Sequence, residues 1–385
     1  MKPTVPLGRI AGIKVGIHYS WFAILGLITW SLANSLLPSL NPSWGATTLW
    51  AFGLLLAVSL FASVLIHELA HSIVAKARGF EVQGITLFLL GGMSSLQSDA
   101  RHARDEFIIS AVGPLASLVL AGLFWLLVIV LGRDVIIIGQ HHSEPADFLG
   151  AALNYLWFLN LLLAIFNLLP AFPLDGGRVL RSIICALTGS YVKATRIAAR
   201  GGQLAGLALV AFGVWQIFGG NHLGGIWYAI IGWFLQSTAG ASLREAEADQ
   251  AMSGINVREA MQPNVDAVGP EVTVFRAVYE YFLRRGLRAM PVSEGDRLIG
   301  IISLTDVKEI PQERWSYETV RAHMTPMPLK SLKPDDELSD ALALMAEHSL
   351  NQAPVLEGDR LVGMLTRADI ISYLHSRKEL GIQSR

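Results

Sequence analysis

The feature that most constrains this chain is an uncharged apolar run that ends in a His-x-x-x-His spacing. Residues 47–66 contain no Asp, Glu, Lys or Arg, and His67, Glu68 and His71 follow directly. A run of this length predicts a helix that can span a bilayer core. Histidines four positions apart share one helix face, so both imidazoles can reach a single metal ion.

Glu68 directly follows the first histidine, where its carboxylate can reach a water beside the metal rather than the metal itself. An inert cluster of satisfied His and Glu side chains is the alternative interpretation. The apolar context favours the metal site, because ionisable groups at membrane depth are costly and are usually functional.

Charge is distributed very unevenly along the 385 residues. Only 16% of residues are charged, against about 25% in soluble domains, and 39 of the 61 charges fall in residues 244–385. This pattern predicts a membrane domain followed by a soluble one.

The net charge of −1 and the lack of a basic stripe argue against a nucleic-acid partner. Cys185 is the single cysteine, which excludes a disulfide framework within the chain and a thiolate zinc site.

Apolar stretches predict an α-helical polytopic domain with about six spans. The expected spans are residues 19–38, 47–77, 106–132, 149–169, 202–219 and a last one that ends near 240. Residues 80–97 are apolar but broken by glycines, including Gly91 and Gly92. We interpret them as a re-entrant β-hairpin beside the metal site, with an ordinary cytoplasmic hairpin as the alternative.

A second polar segment follows the fourth span, where the helix breaks at Pro170. Asn167 lies just before the break and Asp175 just after it. Asp175 could cap the helix that starts near Gly176. A third metal ligand explains it better, because two histidines leave a catalytic zinc short of its usual three protein ligands.

The basic residues predict the orientation of the spans. Every Lys and Arg in 1–243 lies before span one, between spans two and three, or after span four, apart from Arg133 and from Lys76 at the end of span two. These segments, and the one after span six, are therefore expected on the cytoplasmic side of the cell membrane, with both termini inside. His18 precedes the first span as a headgroup-level residue or as a link to the metal site.

The C-terminal part is an internal repeat with a period of 63 residues. Pro263, Gly300 and Asp306 recur as Pro326, Gly363 and Asp369. Each copy reads helix, strand, turn, strand, helix, and such duplicated α/β units normally bury a face against their twin. The expected domains are 1–243 in the membrane, a linker at 244–255, and repeats at 256–313 and 314–378.

Both halves resemble known families. His67-Glu68-Leu69-Ala70-His71, together with residues 167–177 (NLLPAFPLDGG), resembles the site-2 protease family of intramembrane zinc metalloproteases. The repeat is similar to a tandem pair of CBS domains. The resemblance implies that His67, His71 and Asp175 ligate one Zn²⁺ and that Glu68 is the general base. It also implies that Asn167 and the Gly91-Gly92 hairpin position an unwound substrate strand.

The CBS resemblance implies an adenosine-nucleotide site or a homodimer interface. In that family pattern Ser and Thr hydroxyls face phosphate and the aspartate bonds ribose, which here points to five residues. They are Ser303, Thr305, Asp306, Thr366 and Asp369. Helix N-capping is the alternative role for the two aspartates, since each precedes an apolar helical stretch.

The expected function is intramembrane cleavage of a single-pass membrane protein, modulated by the CBS pair. A CBS-regulated metal transporter is the alternative, but it predicts repeated halves in the membrane region, which the sequence lacks. An inactive metal-bound scaffold stays open, because the sequence alone does not distinguish it from the enzyme.

Overall fold

A computed structural model describes residues 5–89, 91–96, 102–135, 147–263, 265–295 and 297–382 of the chain. Residues 90 and 97 of the predicted hairpin segment lie outside these ranges. The chain divides into two compact units, Met1–Ala246 and Glu247–Arg385.

The N-terminal unit is built mainly from long helices. They are α1 (Ser20–Ser31), which continues through a π-helical turn (Leu32–Leu36) into α2 (Leu37–Leu40), α3 (Ala46–Ala77), α4 (Ala103–Val130), α5 (Phe148–Asn167), α6 (Asp175–Thr188), α7 (Tyr191–Phe218) and α8 (His222–Met252). The last six residues of α8 belong to the C-terminal unit. Many large apolar side chains on these helices face outward, including Leu55, Val119 and Leu204. Such a surface suits lipid rather than water.

Within the described residues, five helical segments are long and apolar enough to cross a membrane. They are Ser20–Leu40, Ala46–Ala77, Ala103–Val130, Phe148–Asn167 and Tyr191–Phe218. The fifth helix begins at Tyr191 and runs through the basic residues that precede the expected span start near 202. Where the membrane-spanning part of this helix begins stays a prediction. α8 does not belong to this group, and a sixth span stays a prediction.

A four-stranded sheet lies in the same unit, in the order β1 (Val5–Ile10), β2 (Ile13–Ile17), β3 (Val82–Phe88), β4 (Gly91–Leu96). β2 pairs with β3 in parallel, and the β1–β2 and β3–β4 pairs are antiparallel. The strand pair expected over 80–97 is therefore present. Because β4 is the last strand of the sheet, its outer edge lacks a strand partner among the described residues.

The C-terminal unit contains the two repeats. Its elements are α9 (Val257–Ala260), β5 (Gln262–Pro263), α10 (Val274–Arg276) with a π-helical continuation (Ala277–Leu283), β6 (Ala289–Glu294), β7 (Arg297–Ser303), α11 (Leu304–Lys308), a 3₁₀ turn (Gln312–Arg314), α12 (Val320–His323), β8 (Thr325–Pro326), α13 (Leu338–Glu347), β9 (Gln352–Glu357), β10 (Arg360–Thr366) and α14 (Arg367–Glu379).

The repeats exchange short elements. β5 of the first repeat pairs with β10 of the second, and β8 of the second pairs with β7 of the first. The apolar cores follow the same exchange, because Val257 is buried in the second core and Val320 in the first. Each repeat therefore completes its twin, as the periodicity of 63 predicts.

Candidate metal centre

The two histidines of the motif face each other from adjacent turns of α3. Their Nε2 atoms are 3.2 Å apart, and the ring centroids are 4.8 Å apart. His67 and His71 have only 5% and 12% of their side chains exposed. The i, i+4 spacing therefore does what the sequence predicts, placing both imidazoles on one buried helix face.

Asp175 lies beside the histidines, although it is more than a hundred residues away in the sequence. Its Oδ2 lies 3.0 Å from His67 Nε2 and 3.2 Å from His71 Nε2. Asp175 is the first residue of α6, and the N-cap position belongs to Leu174. The capping interpretation of Asp175 is therefore wrong, since its carboxylate points at the imidazoles instead.

The far nitrogen of each imidazole is held by α4. His71 Nδ1 lies 2.6 Å from the carbonyl oxygen of Ile109, and His67 Nδ1 lies 2.9 Å from Ser117 Oγ. Because a carbonyl only accepts, the proton of neutral His71 resides on Nδ1, and the Nε2 lone pair is left facing Asp175. Partners of this kind fix the orientation of metal-binding histidines.

This donor set fits zinc. Within the described residues, His67, His71 and Asp175 are the one group of three His, Cys, Asp or Glu side chains whose ligand atoms all lie within 4.8 Å of one another. Two imidazoles and a carboxylate leave a fourth tetrahedral position open, as catalytic zinc sites require. The interpretation of Asp175 as a third ligand requires its carboxylate to lie beside both imidazoles, and in the structure it does.

The β-hairpin lies directly against Glu68. A Cβ atom at Gly92 would be 2.4 Å from Glu68 Cγ, so only glycine leaves room for the carboxylate there. Ser94 Oγ on the same strand lies 3.0 Å from Ser72 Oγ, which follows His71 on α3. Gly91 adopts a φ of 136°, a conformation that side chains disfavour. The two glycines thus place strand β4 beside the candidate general base.

His18 lies at the turn end of the same hairpin, beside Leu87 and Leu89. Its amide donates to the Leu87 carbonyl at 2.8 Å, and its Nδ1 is 2.8 Å from Ser20 Oγ. That hydroxyl also accepts from the amide of Leu89 at 3.2 Å. His18 therefore joins the start of α1 to strand β3, and among the described residues no hydrogen bond links it to His67, His71 or Asp175.

Asn167 is the last residue of α5. Its Nδ2 donates to the Leu163 carbonyl in the same helix, at 2.9 Å. The structure thus shows a contact within the helix for this side chain, and its proposed contact with substrate stays a prediction.

The CBS residues form two equivalent capping boxes. Ser303 Oγ donates to Asp306 Oδ2 at 2.8 Å, and Thr366 Oγ1 donates to Asp369 Oδ2 at 2.6 Å. The hydroxyl residues are the N-caps of α11 and α14, and the aspartates accept from their amides. The capping alternative is therefore present, with Ser303 and Thr366 rather than the aspartates at the cap. Thr305 is exposed on α11.

Sequence reasoning missed the residues of α4 that hold the histidines. Ile109, Gly113 and Ser117 recur every four positions, so they share one helix face. The small residues at 113 and 117 were a usable signal for a close helix contact. The partner of His71 is a main-chain carbonyl, which leaves no trace in the sequence.

Comparison with known proteins decides the family. Residues 55–211 match the profile of peptidase family M50, and residues 257–313 and 320–376 each match the CBS domain. A Synechocystis protein, provisionally named a zinc metalloprotease, is 33% identical over 381 residues, covering 98% of this chain and 97% of its own length. The chain belongs to peptidase family M50, the site-2 proteases.

Other known proteins match either the whole chain or one of its two parts. A zinc metalloprotease of Methanocaldococcus jannaschii is 29% identical over 385 residues, covering 99% of each chain. The structure entitled site-2 protease, from that organism, is 32% identical and covers 62% of this chain and 95% of its own, with a TM-score of 0.43. A structure of CBSX2 with AMP is 26% identical and covers 32% of this chain and 99% of its own, with a TM-score of 0.30.

Family membership establishes several coarser points about this M50 chain. It is a zinc metalloprotease of the site-2 type with a C-terminal CBS module. The apolar helices and the family together make it a multi-pass membrane protein. Zinc is the metal that the family implies, and the donor set described above fits it.

Proposed function

We propose that this chain cleaves a transmembrane segment of a single-pass membrane protein at the His67, His71 and Asp175 centre. The observation that carries the proposal is the convergence of these three side chains, with Asp175 Oδ2 3.0 and 3.2 Å from the two Nε2 atoms. Asp175 lies more than a hundred residues from either histidine along the chain, so helix periodicity alone does not explain their meeting.

The chemistry follows from the roles of the side chains around the centre. When bound, zinc supplies Lewis acidity that polarises a carbonyl oxygen and lets water ionise near pH 7. Glu68 accepts the proton of the attacking water and delivers it to the leaving amine. The imidazole orientations fixed by Ile109 and Ser117 keep both lone pairs directed at one point.

The substrate reaches the centre as an extended strand in this proposal. A peptide bond within a helix is shielded by its own hydrogen bonds, so the helix must unwind and its freed backbone groups need partners. The outer edge of β4 offers such groups next to Glu68, because Gly92 contacts that side chain. Strand addition at this edge would place the scissile bond beside the general base.

The finer expectations from the sequence belong to the same proposal. The chain has about six spans with both termini in the cytoplasm, and the hairpin enters the membrane. Asn167 holds the substrate strand or the developing oxyanion. Cleavage releases a cytosolic factor after a first cut outside, and the CBS pair responds to an adenosine nucleotide or forms a homodimer.

A Glu68→Gln variant tests the proteolytic role. The glutamine keeps the shape of the side chain and cannot accept the proton, so uncut substrate should accumulate in the membrane and copurify with the variant. A single-pass protein recovered in this way should be cleaved within its span by the purified wild-type chain and not by the variant. If wild type with zinc bound leaves every recovered single-pass protein uncut, the proposal is wrong.

Nucleotide binding by the CBS pair needs its own test. Titration calorimetry with AMP, ADP and ATP on the full chain should give a saturable heat. Asp306→Asn retains an oxygen that can accept the cap hydrogen bonds of Ser303 and removes the charge, so it should weaken the binding while leaving α11 intact. No heat with any of the three nucleotides in wild type would leave dimerisation as the role of the CBS pair.

A further inference from the structure

A buried ion pair joins α4 to α6 close to the metal centre. Both Arg181 Nε and Nη2 donate to one carboxylate oxygen of Glu106, the Nε contact being 2.6 Å. Each side chain is only 5% exposed. Removing two charges from water costs free energy, which their mutual attraction offsets only when the pair is well aligned. A buried ion pair at this point therefore calls for a reason other than stability.

Two aromatic rings enclose the guanidinium. Arg181 Cζ lies 4.8 Å from the ring centroid of Phe172 and 4.7 Å from that of Tyr191. Phe172 belongs to the segment before α6, and Tyr191 begins α7. The guanidinium is therefore fixed in the plane that points its donors at Glu106.

The helices that this pair connects carry the two halves of the centre. α4 holds the imidazoles through Ile109, one turn after Glu106, and through Ser117. α6 carries Asp175, less than two turns before Arg181. Neither Glu106 nor Arg181 belongs to the three converging side chains, yet their contact joins the helix that orients the histidines to the helix that supplies the carboxylate.

We propose that Glu106 and Arg181 are positioning residues that set the distance between Asp175 and the histidine pair, and thereby the zinc affinity. This inference rests on the proposed role of Asp175 as a ligand. A loss of the pair would let α6 shift relative to α4, and a displaced carboxylate weakens a three-residue centre. Supporting contacts around metal ligands typically change the affinity about 10- to 100-fold.

The test compares ion pairs on neighbouring residues of α4. Glu106→Leu/Arg181→Met removes both buried charges together, which avoids leaving one unpaired. The matched control is Asp105→Leu/Arg78→Met, because Asp105 pairs with Arg78 at the end of α3 and has no part in the α4–α6 contact. Zinc affinity of the detergent-purified full chain is measured by competition with a chelator, and the absorption spectrum of added Co²⁺ reports the ligand geometry.

We expect the Glu106/Arg181 double variant to bind zinc about tenfold or more weakly and to show an altered Co²⁺ spectrum. The Asp105/Arg78 control should keep the wild-type values. Unchanged affinity and spectrum in the Glu106/Arg181 variant would overturn the inference. If that variant does not fold, Arg181→Lys decides by the same criteria, since it keeps the charge and loses the two-donor fork.

Wild type and Asp175→Ala separate this inference from the proposed function. If wild type binds zinc and Asp175→Ala binds it more weakly, Asp175 is a zinc ligand. The Glu106→Leu/Arg181→Met variant then tests the role of the ion pair by itself. If Asp175→Ala binds zinc as tightly as wild type, the ligand assignment itself is wrong.

Discussion

Gly113 on α4 packs so closely against His71 on α3 that a Cβ at position 113 would lie 2.1 Å from His71 Nε2. The same Cβ would lie 2.8 Å from His67 Nε2. These are the atoms that face Asp175, so the space above the two histidines exists only because residue 113 has no side chain. The close approach of α3 and α4 and the geometry of the candidate zinc centre thus depend on one glycine.

Gly113→Ala should therefore abolish zinc binding. The added methyl group would displace both imidazoles, and a shift of this size removes the convergence of the lone pairs. Gly122→Ala is the control, because a Cβ at that position of the same helix meets nothing within 4 Å. Metal analysis of the purified chains should show zinc in the control and in wild type only. Full zinc content in Gly113→Ala would contradict the close approach of residue 113 to the two histidines.

Gly92→Ala should separate cleavage from zinc binding. Its Cβ would lie 2.4 Å from Glu68 Cγ and has no such contact with the histidines. We expect zinc content to stay near the wild-type value while cleavage of a substrate captured with Glu68→Gln falls at least about tenfold. Gly26→Ala on α1 serves as the control, since a Cβ there meets open space. Wild-type cleavage rates in Gly92→Ala would contradict the proposed role of the hairpin beside Glu68.

Ser117→Ala should weaken zinc binding without destroying it. The change removes the partner 2.9 Å from His67 Nδ1 and leaves the imidazole free to rotate or change tautomer. A loss of about 10-fold in zinc affinity is expected, measurable by chelator competition. Ser59→Ala is the control, because that hydroxyl bonds the Leu55 carbonyl in its own helix. Equal affinities for the two variants would exclude Ser117 as an orienting residue.

Gly363→Ala should loosen the exchange of strands between the CBS repeats. A Cβ there would lie 2.7 Å from the Gln262 carbonyl oxygen and 2.9 Å from Met261 Sδ. Overpacking of this kind costs about 1–3 kcal/mol. Hydrogen exchange on the full chain should quicken in β5 and β10, with Gly269→Ala, whose nearest contact is at 3.8 Å, as the control. Protection equal to that of wild type would argue against this close approach.

The sequence predicted the parts of the fold that local pattern determines. The apolar run before His67, the strand pair after Phe80 and the repeat of 63 residues each carry their own period, and each appears in the structure as the pattern indicates. The apolar pattern does not predict where α7 starts, because it is interrupted by the basic residues before Gly202. They lie on one continuous helix that begins at Tyr191.

The positions of side chains relative to one another could be predicted only where chemistry demanded a partner. Asp175 was expected beside the histidines because a zinc site requires a third ligand, and the structure brings it there. Nothing in the local sequence indicates that Glu106 meets Arg181 or that the Ile109 carbonyl meets His71. Those contacts depend on how α4 packs against α3 and α6, which no single-helix pattern encodes.

The most direct test is the zinc content of the purified full chain in three forms: wild type, Glu68→Gln and Asp175→Ala. We expect one zinc ion per chain in wild type and in Glu68→Gln, with cleavage retained by wild type and lost in Glu68→Gln, and little zinc in Asp175→Ala. Zinc retained at wild-type affinity in Asp175→Ala would contradict this expectation, because the two histidines would then hold the metal without the carboxylate that lies against them.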